Sequence, residues 1–409
     1  MKAISKLAVA IIAIVVVIIA GVAGYFAMNQ SSHQSTGAGQ VSQTSTAQST
    51  TTSSSAQTST TQPLQVSASI TAGGSTFVNP AMQVWTKDVQ TMYPGIQVTY
   101  SAVGSGAGLN NFLQGVYDIG AADVPPTPSQ YQQMVQKYGK ILVVPDVVGA
   151  VDIIYNIPGF NGVLNLTADV LAKIYLGQIQ YWDDPEIQKL NPNFKFPHQK
   201  IIAVHRSDGS GTTFIFTYWL YISTSAWKNS GVGYGFTVNW PVDQLGNGLA
   251  GKGSDGVTQL VKQNAYSIGY VEAQYAIANN LGAANVQNPS TGQFVYPTPD
   301  SIKVAVENAN ISAINDLTKD LSPYLGVFLN VKANNAYPIV TFSWLVVKTD
   351  YSDKNKAIAI YLFLKYIATK GQTELPTGYL PLPPNIQNLI LQNLKQITYN
   401  GQPVYTMVS

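Results

Sequence analysis

From residue 66 onward the apolar positions follow two alternating rhythms. Residues 65–72, and then Ile96, Val98 and Tyr100, carry the two-residue period of strands. Met82, Trp85, Val89 and Met92, entered through Pro80, carry the three- and four-residue spacing of an amphipathic helix. The strand at 65–72 and that helix are joined by Gly73-Gly74-Ser75-Thr76-Phe77. The same unit recurs as the strand at 96–100, the run Gly104-Ser105-Gly106-Ala107-Gly108 and a helix over 109–116. A third copy runs from a strand over 201–204 through His205-Arg206-Ser207-Asp208-Gly209-Ser210-Gly211-Thr212 into an apolar helix over 213–220. Such alternation predicts an α/β protein with largely parallel sheets, and no repeat of solenoid length is visible.

Two amino-terminal segments break the rhythm. Residues 7–27 form an uncharged apolar run of about one bilayer span, roughly 20 residues. Lys2 and Lys6 precede it and the next Lys is Lys87, so the positive-inside rule puts the amino terminus in the cytoplasm and the body outside the cell. A cleaved signal is the competing reading, with Gly21-Val22-Ala23 as its small-residue site, although the run exceeds the ~7–15 residues of a signal core. Residues 1–29 are therefore read as a transmembrane anchor or signal segment. Residues 30–65 are mostly Ser, Thr, Gln and Gly, too polar to bury a core, and read as a disordered stalk.

Composition narrows the function by exclusion. A net charge of +2 without a Lys/Arg cluster or aromatic ladder gives no nucleic-acid surface. The absence of Cys removes disulfides, thiol catalysis, zinc knuckles and a lipidated Cys anchor. Three His residues, none in HxxxH spacing, give no expectation of a metal site.

The repeated units carry the candidate chemistry. A helix amino terminus leaves backbone N–H groups unpaired at its positive end, and Gly lets an anion approach them. Arg206 is the only Arg among 22 Lys and Arg residues, and a planar guanidinium fork can hold an oxyanion and a carboxylate together. The plainer role for Arg206 is a structural ion pair with Asp208. Thr76, Ser105, Ser210 and Thr212 offer hydroxyl donors, or plain helix caps. Segment 118–126 reads as a short buried strand ending in a turn, with Asp123 at its exit either as a turn former or as an acceptor for the proton of a protonated oxyanion, which sulfate at neutral pH lacks. The segment 246–252 imitates a P-loop until Gly253 takes the place of the metal-binding Ser/Thr. Neither Ser105 nor Ser210 has the Gly two residues before it that a nucleophile elbow needs.

Taken together, segments 72–77, 104–108, 119–125, 204–216, 252–256 and 267–275 resemble, in order and spacing over about 67–395, the phosphate-binding proteins of ABC-type phosphate importers. The most specific match is Arg206-Ser207-Asp208-Gly209-Ser210-Gly211-Thr212-Thr213-Phe214. The resemblance implies that Thr76, Phe77, Ser105, Asp123, Arg206, Ser210, Gly211 and Thr212 contact phosphate and that Asp208 pairs with Arg206. It implies that 175–177, 181–184 and 268–272 lie away from the ligand and hold the fold. The chain departs from the family in the order Ala72-Gly73-Gly74, in Val78 where Pro is frequent and in Ala122 where Ser is frequent.

By the same resemblance the fold is a two-lobe periplasmic-binding-protein-like clamshell with two hinge crossings. One lobe comprises 66–147 with 337–409, the other 148–336, and phosphate bridges them. The implied protein is no enzyme, needs no cofactor, and hands inorganic phosphate to a transmembrane permease driven by a cytoplasmic ATPase. The rivals are a receptor for another tetrahedral oxyanion (sulfate, molybdate or arsenate), a phosphate-responsive sensory protein, and a secreted phosphatase or esterase using Ser105 or Ser210.

Overall fold

The computed structural model describes residues 65–408. The predicted anchor or signal segment (1–29) and all but the last residue of the predicted stalk (30–65) lie outside them. Among the described residues no helix is long and apolar enough to cross a membrane.

One eight-stranded sheet organises the body. Its strands are β1 (Ala68–Gly74), β2 (Ile96–Ala102), β3 (Ile119–Ala122), β4 (Ile141–Asn156), β5 (Ile202–Arg206), β6 (Gly248–Gly251), β7 (Ser267–Glu272) and β8 (Val340–Lys348). In space they run 2-1-3-8-4-7-5-6. The three strands at one end are mutually parallel, as are the three at the other. Between them β8 is antiparallel to both β3 and β4, and β4 is antiparallel to β7. The expectation of largely parallel sheets thus holds for the repeated units and fails at the centre, where the chain crosses between halves.

That crossing is a single strand. The 16 residues of β4 pair with β8 over Ile141–Ala150 and with β7 over Val151–Asn156, so one strand belongs to both halves. Almost all of β4 is buried, which suits the near-continuous apolar run of a strand covered on both faces. A register shift opposite Ser343/Trp344 leaves Asp146 as an extra residue in β4. The returning chain lies alongside: Val151 N donates to Ile339 O at 2.9 Å and Tyr337 Oη donates to Val151 O at 2.9 Å.

Helices follow the strands where the loops predicted them. They are α1 (Asn79–Met92), α2 (Ser105–Gln114) and α3 (Gly211–Ser223); α4 (Gly253–Gln263), after β6, is a fourth that the three predicted units do not include. Helix α1 begins beside Pro80 and buries Ala81, Met82, Trp85 and Val89, each large side chain worth about 1.5–3 kcal/mol of transfer free energy. Met92, at the end of the same stripe, is 45% exposed because the helix stops there. Helices α2 and α3 start four and two residues earlier than their apolar runs, so Ser105, Gly211 and Thr212 lie within first turns, where propensity is weakest and capping decides. Helix α3 is buried nearly all round, and behind it Phe216 stacks on Tyr270 at 4.5 Å.

Candidate functional site

Six loops meet where the carboxyl ends of the parallel strands face each other, the place at which open α/β sheets bind ligands. From one half come Ser75 and Thr76 after β1, Ser105 opening α2, and Asp123 at the exit of β3. From the other come Arg206 to Thr212 between β5 and α3, Ser254 opening α4, and Glu272 ending β7. All of these except Ser207, Asp208 and Gly209 are buried.

The geometry is set by backbone fit as much as by side chains. Gly104, at φ +93°, lets the α2 amino terminus approach the Asp208 loop, and Gly106 N donates to Gly209 O at 2.9 Å. A Cβ at Gly211 would lie 2.6 Å from both Asp123 Oδ2 and Ser105 Oγ, so only glycine admits this contact between the halves. Four helix amino termini therefore converge, each with N–H groups that its own helix cannot satisfy.

Arg206 is held on two sides. Its Nε donates to Asp208 Oδ1 at 2.8 Å and its Nη2 to Asp208 Oδ2 at 2.5 Å, a forked ion pair. The remaining nitrogen, Nη1, is 3.4 Å from both Thr212 Oγ1 and Ser254 Oγ. Asp208 also accepts from Gly253 N at 2.9 Å, tying the α4 amino terminus to the pair. Burial works to raise the Asp208 carboxyl, yet the Arg206 bonds outweigh it and hold the group below the usual Asp range.

Asp123 has the opposite balance. Burial first, and the Glu272 carboxylate second, push it up to about 7 against the lowering effect of Ser75, Arg206 and Thr212. Its Oδ1 accepts from Ser75 Oγ, its Oδ2 lies 3.3 Å from Thr212 Oγ1, and its backbone N donates to Ser105 Oγ at 3.3 Å. Once ionised, a carboxylate can only accept hydrogen bonds, so it favours a partner that carries a proton.

The sequence-predicted residues occupy this place with different local duties. Thr76, Ser105, Asp123, Arg206, Gly211 and Thr212 converge, and Asp208 pairs with Arg206 as expected. Ser210 is the N-cap of α3, its Oγ accepting from Thr213 N at 3.1 Å. Phe77 is fully buried against Gly149, and its carbonyl accepts from Gln274 Nε2 at 2.8 Å and from Tyr379 Oη. Thr76 spans the halves through Ser254 Oγ at 2.7 Å, while its carbonyl accepts from Tyr275 Oη at 2.7 Å.

Three residues escaped the sequence reading. Ser254 belongs to a fourth strand, Gly loop and helix unit, just past the imitation P-loop and within the resembling segment 252–256, where no residue is singled out; the signal was the unit itself. Ser75 was passed over for its neighbour Thr76. Glu272, read as part of a fold-holding segment remote from the ligand, is instead fully buried with Oε1 accepting the Thr212 hydroxyl. Nothing in its apolar strand Ser267–Glu272 points there, because the contact is made by a strand end 60 residues away in sequence.

Known proteins resemble this chain in sequence and in fold. A model of the PBP superfamily domain matches residues 32–370. The phosphate-binding protein PstS of Methanocaldococcus jannaschii is 41% identical over 337 residues, covering 80% of this chain and 86% of that protein. The chain belongs to the PstS phosphate-binding protein family, within the PBP superfamily. Another PstS, from Haemophilus influenzae, is 34% identical over 339 residues, 81% of this chain and 94% of the relative. Among solved structures, a high-affinity periplasmic phosphate-binding protein bound with phosphate superposes with a TM-score of 0.59 at 18% identity, over 79% of this chain and 93% of that one. This likeness gives the chain the two-lobe α/β fold of periplasmic binding proteins.

Proposed function

We propose that this chain is the substrate-binding protein of an ABC-type phosphate importer, which captures inorganic phosphate between its lobes and releases it to a membrane permease powered by a cytoplasmic ATPase. The observation that carries the reading is that Arg206, forked on Asp208, and the buried Asp123, pushed up to about 7, come to the same convergence of helix amino termini. It is supported by relatives named phosphate-binding protein PstS that share most of the chain.

In this reading Thr76, Phe77, Ser105 and Asp123 contact phosphate from the lobe of 66–147 and 337–409. Arg206, Ser210, Gly211 and Thr212 contact it from the lobe of 148–336, with Asp208 holding the guanidinium. A ligand touching both sides favours closure, since it binds the closed state better than the open one. Asp123 accepts the proton of the anion and repels an anion that has none. Residues 1–29 serve as the membrane anchor and 30–65 as the tether, raising the receptor concentration near the permease with the body outside the cell.

Hydrolysis is disfavoured by the surroundings of the two serines. Ser210 Oγ caps α3 and Ser105 Oγ accepts from Asp123 N. His205, in the adjoining strand, has Nε2 on Asp243 at 2.8 Å and Nδ1 by the Arg206 carbonyl at 3.2 Å, so neither nitrogen is free to act as a base. Incubation with a chromogenic phosphate ester tests this: no turnover is expected, while inorganic phosphate binds. Turnover lost in Ser105→Ala or Ser210→Ala would overturn the reading.

A further inference from the structure

Away from the cleft, the chain carries Asn-x-Ser/Thr triplets, the acceptor pattern for an oligosaccharide on an exported protein. Asn165-Leu166-Thr167 and Asn310-Ile311-Ser312 fall among the described residues, and a third, Asn29-Gln30-Ser31, lies outside them. The triplet is necessary and not sufficient, because the chemistry asks more of the folded chain. A side-chain amide, like a peptide bond, shares its nitrogen lone pair with the carbonyl, so the nitrogen attacks only where the C–N bond is free to twist. The asparagine must also stand clear enough for a transferase to grip it. The two triplets differ on both counts.

Asn165 is locked. It opens the two-residue strand Asn165–Leu166 and is half-buried. Its Nδ2 donates to Leu190 O at 3.2 Å and its Oδ1 accepts from Asn285 Nδ2 at 2.9 Å, so both ends of the amide are tied. The backbone is tied as well, N donating to Asn191 Oδ1 at 2.8 Å and O accepting from Asn191 Nδ2 at 3.0 Å. Thr167 is spent on capping the helix Ala168–Tyr175, its Oγ1 accepting from Val170 N at 3.2 Å.

Asn310 is presented. It follows the helix Pro299–Glu307 in a segment without regular structure, the usual setting of a modified surface position. Asn310 and Ser312 are exposed, while Ile311 between them is only 9% exposed and packs into the core. The buried Ile311 seats the loop and leaves its two neighbours outward. Ser312 Oγ donates to Asn310 Oδ1 at 2.8 Å, which engages the amide oxygen and leaves Nδ2 without a hydrogen-bond partner among the described residues. A bulky polar substituent on that nitrogen extends into solvent.

We propose that Asn310 is an N-glycosylation site of this protein and that Asn165 is not. Asn310 Nδ2 forms a bond to the anomeric carbon of a lipid-phosphate-linked oligosaccharide. The bond from that carbon to the phosphate oxygen breaks, the lipid phosphate leaves with the bonding pair, and one amide proton passes to a base of the transferase. This rests on the reading that the body lies outside the cell and adds to it a covalent modification of the surface.

The test is peptide mass spectrometry of the full-length chain purified from the membranes of the cells that make it. The peptide carrying Asn310 is expected to gain the mass of an oligosaccharide in most copies, and the peptide carrying Asn165 to keep its bare mass. Asn310→Gln made in the same cells should lose that increment while still unfolding cooperatively in urea, which shows that it folds. A bare Asn310 in the wild-type chain overturns the proposal, and an oligosaccharide on Asn165 overturns the selection of one triplet over the other. Protease added to intact cells separates this from the reading beneath it. A bare Asn310 on a body that the protease cleaves defeats the modification alone, whereas a body that stays protected defeats the exterior reading as well.

Discussion

The fate of the Asp123 proton gives a stability prediction with a definite sign. In Asp123→Asn the amide keeps the shape and contacts of a neutral acid: its oxygen still accepts from Ser75 Oγ and its nitrogen can donate to Thr212 Oγ1. In the wild type, burial and then Glu272 raise the carboxyl to about 7. In the unfolded chain it ionises near the ordinary value of about 3.9. Below that value both states hold the proton and the group contributes no pH dependence. As pH climbs from there toward 7, only the unfolded chain releases it, and the native state loses about 1.4 kcal/mol per pH unit. The loss is complete once both states are ionised and amounts to about 4 kcal/mol. The variant has no such proton, and the trend from other buried acids is common to both proteins and cancels. Urea denaturation of the ligand-free chains at about pH 4, 6 and 8 should therefore find them similar at the acid end, with the variant ahead by up to ~4 kcal/mol at the alkaline end. Parallel stability curves, or a wild type more stable than the variant at pH ~8, would refute the reasoning.

Other substitutions read different parts of the site. Arg206→Lys keeps the charge but cannot reproduce the fork on Asp208, and the loss of one charge-assisted bond, ~1.5–3 kcal/mol, should weaken phosphate binding by about 10- to 150-fold in calorimetry. Gly211→Ala puts a methyl 2.6 Å from Asp123 Oδ2 and Ser105 Oγ, so phosphate affinity should fall by more than ~100-fold while small-angle scattering reports a wider molecule. Asp152→Asn removes an acid that burial, and then Glu272, raise well above its ordinary value. Its denaturation midpoint should exceed wild type at neutral and alkaline pH, with the advantage vanishing in acid, where both states of Asp152 are protonated.

Local order was legible in the chain, and long-range order only through resemblance. The alternation at 65–72 and 96–100, and the Met82, Trp85 and Val89 stripe, report burial directly, so β1, β2 and α1 follow from periodicity. Helix starts at Ser105 and Gly211 were missed by two to four residues because first turns are fixed by caps and by contacts across the cleft, which leave no apolar period. The antiparallel centre was not foreseen, since β4 and β8 both read as plain apolar runs and nothing local states which neighbour each will pair with. At the site, Arg206 stood out by its solitude and Asp123 by its place at a strand exit. Glu272 carried no local mark: the contact that matters joins a β7 end to the first turn of α3, and only the folded chain brings them together.

The central claim is most directly tested by calorimetric titration of the full-length chain, stripped of bound anion, with phosphate and then sulfate near neutral pH. The account predicts saturable one-to-one phosphate binding with sulfate rejected, and recovery of some sulfate binding in Asp123→Asn, where the repelling carboxylate is gone. A folded wild-type chain that binds no phosphate, or binds sulfate as well as phosphate, would contradict it.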